Sequence, residues 1–139
     1  MGSRCLDLFA GTGALGLEAA SRGASRVVLV EADARIARQL RQQVDALGAT
    51  AVEVVQMPAL VYLQGRPGPF DVVFLDPPFS RQMLPSVCDA LQGHGVLASG
   101  ARIYLETELE QSLAMPPDWQ VLRHSRIGQV RHYLAAAPP

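Results

Sequence analysis

An aspartate, two prolines and an aromatic, Asp76-Pro77-Pro78-Phe79, close an apolar run that reads FLDPPF from 74 to 79. One proline is enough to stop a strand, because it lacks the ladder donor and fixes its own φ. The full tetrapeptide offers more chemistry than that. The Asp76 carboxylate and the Pro77 carbonyl are two acceptors on a stiffened backbone, and Phe79 adds an aromatic face. Such a set suits an exocyclic amino group on a purine, or an amide, whose lone pair is delocalised and poorly nucleophilic. Acceptors aimed at its N–H groups orient it and favour the tetrahedral nitrogen that attacks, while the ring stacks on the base.

A second group of residues supplies a place for a cofactor. Gly11-x-Gly13-x-x-Gly16 follows one apolar run, and Glu31 lies about twenty residues further on, the spacing at which an acid takes ribose hydroxyls. Glycines alone can serve only a tight strand-to-helix turn. The same letters also fit a dinucleotide-binding dehydrogenase module, which is the competing reading. Asp7 separates the two, because a carboxylate four residues ahead of Gly11 repels a pyrophosphate but holds an ammonium group or ordered water. S-adenosylmethionine carries both an ammonium and a sulfonium. Transfer of its methyl to nitrogen needs positioning above all, worth ~7 kcal/mol or more in a near-attack geometry, and calls for no metal and no covalent nucleophile.

These residues need elements that bring them to one edge. The sequence predicts a strand over 4–10, a helix through Leu15, Leu17, Ala19 and Ala20 closed by Gly23, and a continuous Val/Leu strand over 26–33. A helix N-capped by Asp33 follows, with Ile36, Leu40, Val44 and Leu47 as its apolar stripe and Gly48 at its end. Further strands are expected over 51–55, 70–76 and 101–108, with helices over 59–64 and around 84–91. After Pro116-Pro117, residues 119–136 read as a hairpin interrupted near Ile127 and Gly128. This alternation predicts an α/β fold: a doubly wound, mostly parallel, Rossmann-like sheet with helices on both faces and a C-terminal antiparallel hairpin. In such sheets ligands bind beyond the carboxyl ends of the strands, where the glycine turn, Glu31 and Asp76 all fall.

Composition fits one folded domain over 1–139, with 49% hydrophobic and 18% charged residues. No apolar run approaches the ~20 residues that span a bilayer, and no signal peptide is visible, so a cytoplasmic protein is expected. Cys5 and Cys88 read as isolated buried thiols. A net charge of -1 gives no overall nucleic-acid footprint, although all twelve basic residues are arginine. Arg81, after the aromatic, could take a phosphate. Arg123, Arg126 and Arg131 read as protection of an edge strand rather than as an RNA contact, and His94, His124 and His132 have no ligand spacing. Trp119 reads as packing.

Together, LDLFAGTGALGLEAASRGA, DVVFLDPPF, RIYLETE and GQVRHYL resemble the RsmD-type ribosomal RNA guanine-N2 methyltransferases of the class I adenosylmethionine-dependent fold, across Cys5 to about Leu134. The resemblance implies methylation of one guanine amino group in small-subunit ribosomal RNA, presented in an assembling particle; separately, a monomer is expected. Adenine N6 in DNA or RNA is the alternative acceptor, because the motif itself does not identify the amine. Carried over by position, the cofactor loop falls on Asp7, Phe9, Gly11 and Gly13, the ribose acid on Glu31, and the amine-binding motif on Asp76, Pro77, Pro78 and Phe79. Where the family usually places Asp or Asn against the adenine amino group, this chain has Met57-Pro58, so recognition there is expected to rest on Met57 packing and the Ala59 backbone N–H. Family members also carry a basic segment ahead of the first strand. Here MGSR precedes Cys5, and a truncated or minimal form is expected.

Overall fold

The computed structural model describes residues 2–77, 80–108 and 115–139. Its elements run β1 (Arg4–Asp7), α1 (Ala14–Ser21), β2 (Arg26–Glu31), α2 (Ala34–Leu47), β3 (Val52–Gln56), α3 (Ala59–Gln64), β4 (Phe70–Leu75), α4 (Ser80–Gly93), β5 (Leu97–Glu108), β6 (Gln120–Ile127) and β7 (Val130–Ala136). The strands form one sheet in the order β3-β2-β1-β4-β5-β7-β6. Strands β1 to β5 pair in parallel, and β7 runs antiparallel between β5 and β6. The mostly parallel sheet and closing hairpin expected from the sequence are both present.

Strand alternation divides the core between the two faces. Cys5, Val27 and Leu29 point to one side, where Ala19 and Ala20 of α1 and Ile36 and Leu40 of α2 meet them. Leu6, Val28, Val30 and Val73 point to the other, against Ala59 and Leu63 of α3 and Leu84, Val87 and Leu91 of α4. Because β2 has helices on both sides, Val27 through Val30 are all fully buried, which is why its sequence reads as an unbroken apolar run. The sheet is tied at its lower edge by Arg4, whose backbone N–H and guanidinium both donate to the Asp71 carboxylate, at 2.9 to 3.2 Å.

Several boundaries differ from the sequence reading. Strand β1 ends at Asp7 rather than at residue 10, because Leu8 to Gly13 already turn toward α1. On α2 the buried stripe is Ala37, Leu40 and Val44, while Leu47, the last residue of the helix, is 64% exposed. Asp33 does cap that helix, accepting from the N–H groups of Arg35 and Ile36, and Gly48 ends it at φ 63°. Helix α4 begins before Leu84 and carries Pro85 in its second turn, past the positions whose N–H groups have no intrahelical acceptor, so one i→i−4 hydrogen bond is absent there. Trp119 is buried, and its indole N–H donates to Gln92 Oε1 at 2.7 Å. Both cysteines are buried free thiols. Among the described residues, no helix is long and apolar enough to cross a membrane.

Candidate active site

The turn after β1 brings two glycines close against leucine side chains of α2 and β2. Gly13 sits at the N-cap of α1 with φ 79°, and a Cβ there would lie 2.7 Å from Leu40 Cδ2. At Gly16 a Cβ would overlap Leu29 Cδ2, so its absence lets α1 lie directly on β2. Packing therefore accounts for two of the three glycines without any ligand.

The third glycine does something else. Gly11 N–H donates to Oε1 of Glu31 at 3.0 Å, and Oε2 of the same carboxylate accepts from Asp33 N–H at 3.0 Å. Glu31 is thus held by one backbone donor on each oxygen, at the mouth of the turn, with lone pairs left to accept from further donors. The Gly11 amide that a pyrophosphate would need already faces a carboxylate.

Asp7 ends β1 and is only 4% exposed. Its Oδ1 accepts from Phe9 N–H at 3.2 Å, which closes a local turn. Burial is the main force that pushes its carboxyl up to about 6, against the opposing Phe9 hydrogen bond, and the charges of Asp76 and Glu31 push the same way as burial.

These residues surround one cavity of about 740 Å³ beyond the carboxyl ends of the strands. Asp7, Glu31, Asp76 and Glu106 bring four carboxylates to it, between apolar surface from Phe9, Ile36 and Met83. Among the described residues no Lys or Arg lines it. An acceptor-rich, partly apolar cavity of this kind fits a ligand that carries an ammonium and a sulfonium beside an aromatic ring system, and disfavours one built around a pyrophosphate.

Most of the residues singled out from sequence meet here. Asp7, Phe9, Gly11, Glu31, Ala59 and Asp76 line the cavity, while Gly13 stands behind it at the helix start. Pro77 is buried beside Asp76. Pro78 and Phe79, together with the Arg81 side chain, lie outside the described residues. Met57 is not among the residues that line the cavity: it packs, partly buried, against the core and donates its N–H to the Glu31 carbonyl at 3.1 Å. Pro58 and Ala59 take its place on the cavity wall. Ala59 is the first residue of α3, so its N–H belongs to the donors that helix geometry leaves without an intrahelical acceptor.

The cavity wall also includes residues given no site role from sequence, among them Met83 and Glu106. Glu106 was detectable, because an acid at the carboxyl end of a parallel strand is the same signal that marks Glu31 and Asp76. His132, which has no acid near it in sequence, finds one across the sheet: its Nδ1 lies 3.3 Å from Glu106 Oε1.

The family model described as Conserved hypothetical protein 95 matches residues 1–136. The chain belongs to this family. It is 41% identical over 133 residues to Ribosomal RNA small subunit methyltransferase D of Escherichia coli (strain K12), a match that covers 95% of this chain and 67% of that protein. Among solved structures, a putative methyltransferase from Escherichia coli superposes with a TM-score of 0.96 at 39% identity, covering 99% of this chain and 78% of the other. A putative methylase from Haemophilus influenzae follows at 0.92 and 36% identity, with coverages of 99% and 88%.

Proposed function

We propose that this family member is an S-adenosylmethionine-dependent N-methyltransferase that acts on the exocyclic N2 amine of a guanine in small-subunit ribosomal RNA. One observation carries the reading: Asp76, at the tip of β4, lines the same cavity as Gly11 and Glu31, so an acceptor for the amine and a holder for the cofactor share one space. The name and closeness of the Escherichia coli relative support the RNA substrate.

Adenosylmethionine, when bound, supplies an electrophilic methyl group on a sulfonium. Asp7 holds the ammonium end, and Glu31 accepts the ribose hydroxyls with the lone pairs that Gly11 and Asp33 leave open. Pro58 and Ala59 contribute one wall for the adenine, with the Ala59 N–H as donor. Asp76 and the Pro77 carbonyl accept from the target amine, turning its lone pair toward the methyl, and the roles read for Pro78 and Phe79 complete the motif. The proton lost from nitrogen after transfer passes to solvent, or first to Asp76. Every residue in this account comes from one chain, so a monomer suffices. The protein works in the cytoplasm as a single methyltransferase domain on the assembling small subunit.

The test uses small subunits from cells that lack the modification. Tritiated adenosylmethionine and the purified protein are expected to label the RNA, and nucleoside analysis to return N2-methylguanosine. Asp76→Ala should lower transfer by about 100-fold or more while calorimetry still shows cofactor binding. Label in adenine, or none with wild-type protein, would reject the reading.

A further inference from the structure

The cofactor roles and the amine acceptors leave one cavity carboxylate unused. Glu106 stands at the end of β5, and the pairing of Leu75 with Leu105 makes Asp76 and Glu106 the next residues on adjacent strands. Across the ladder Glu106 pairs in register with His132, whose Nδ1 lies 3.3 Å from Oε1. That contact restrains a half-exposed side chain that would otherwise sample several rotamers. Its carboxylate keeps acceptor capacity, because two oxygens offer about four lone-pair sites.

Two neighbouring carboxylates present acceptors only. Guanine is the base whose Watson–Crick edge offers adjacent donors, N1–H and N2–H₂, whereas adenine and cytosine each set a ring nitrogen acceptor beside their amine. We propose that Glu106 selects guanine: its carboxylate accepts N1–H, beside the N2 amine that Asp76 and the Pro77 carbonyl hold. Adenine in the same position would face the Glu106 carboxylate with its N1 lone pair, setting two acceptors against each other with no donor between them. The inference rests on the methyltransferase reading above and adds the base discrimination that the Asp-Pro-Pro-aromatic motif does not supply. Glu106 is a specificity residue, and His132 positions it.

2-Aminopurine isolates this contact, since it keeps the N2 amine and replaces N1–H by an acceptor. Small subunits are assembled with guanosine or 2-aminopurine riboside at the position that the wild-type protein methylates. Wild-type protein is expected to prefer guanosine by about 10- to 100-fold in kcat/KM. Glu106→Gln, whose amide can donate to the N1 lone pair, should reverse that preference with unchanged cofactor binding. Equal use of both bases by wild-type protein, or a wild-type rate on guanosine with Glu106→Gln, overturns the inference and leaves the methyltransferase reading standing. Absence of any guanine N2 transfer by wild-type protein overturns both. Should the variant lose cofactor binding, the wild-type comparison of the two bases decides alone.

Discussion

Glu31 and Gly11 are twenty residues apart and joined by one hydrogen bond of 3.0 Å, which fixes the end of β2 to the turn after β1. Because the second oxygen of Glu31 holds Asp33 N–H, one side chain sets both the cofactor turn and the entry to α2. Glu31→Ala should therefore act twice. Two backbone donors at a half-exposed site lose their partner, which costs about 1–2 kcal/mol of stability. Adenosylmethionine affinity should fall by about 10-fold or more. Thermal melting and titration calorimetry check the two effects separately, and wild-type affinity in the variant would remove Glu31 from the cofactor site.

The glycines of the turn should not be equivalent. At Gly16 an added methyl meets the side chains of Leu29 and Val27, which are fully buried and have little room to move aside, so Gly16→Ala should lower stability by about 1–3 kcal/mol. A Cβ at Gly11 meets no atom within 4 Å, leaving only the strain of φ 54°, roughly 1 kcal/mol. Chemical denaturation of the two variants should rank Gly16→Ala as the less stable. The reverse order would contradict the close seating of α1 on β2.

The large elements were legible because their signals are local. The buried run Val27–Val30 and the Asp33 cap each follow from neighbours within a few residues. The hairpin could be read because Gly128 marks its turn, at φ 60°. What the sequence hid depends on pairing across distance. Leu47 looks like a core residue by spacing, yet at the last position of α2 it is exposed. Glu106 and His132 are 26 positions apart and become partners only through the β5–β7 register. Met57 reads as a ligand contact by its place after β3, but it packs against the core and Pro58 lines the cavity. The convergence of Asp7, Glu31 and Asp76 was legible, since all three stand at the carboxyl ends of parallel strands.

Next to Glu106, Thr107 is 2% exposed, and among the described residues its Oγ1 has no hydrogen-bond partner. A buried hydroxyl without a partner carries its desolvation cost uncompensated. Thr107→Val, nearly the same in shape, should leave stability unchanged or raise it by about 1 kcal/mol, measured by denaturant unfolding. A loss of more than that amount would mean that the hydroxyl has a bound partner in solution.

Asp7 should make both stability and cofactor affinity depend on pH, in opposite directions. Its carboxyl is pushed from 3.8 to about 6 in the folded chain, mainly by burial. Between those values the folded chain keeps a proton that the unfolded chain has released, so stability declines as pH rises through the window and levels off above about pH 6. At ~1.4 kcal/mol per pH unit the decline amounts to about 3 kcal/mol. Asp7→Asn should flatten the curve and be the more stable protein at pH 7. A cationic ligand prefers the ionised carboxylate, so adenosylmethionine should bind more tightly at pH 7 than at pH 5, and binding at pH 5 should release close to one proton. Calorimetry in two buffers of different ionisation heat measures that proton. Affinity that stays level from pH 5 to pH 7 would take the ammonium away from Asp7, and stability that climbs through the same window would contradict its burial as the dominant influence.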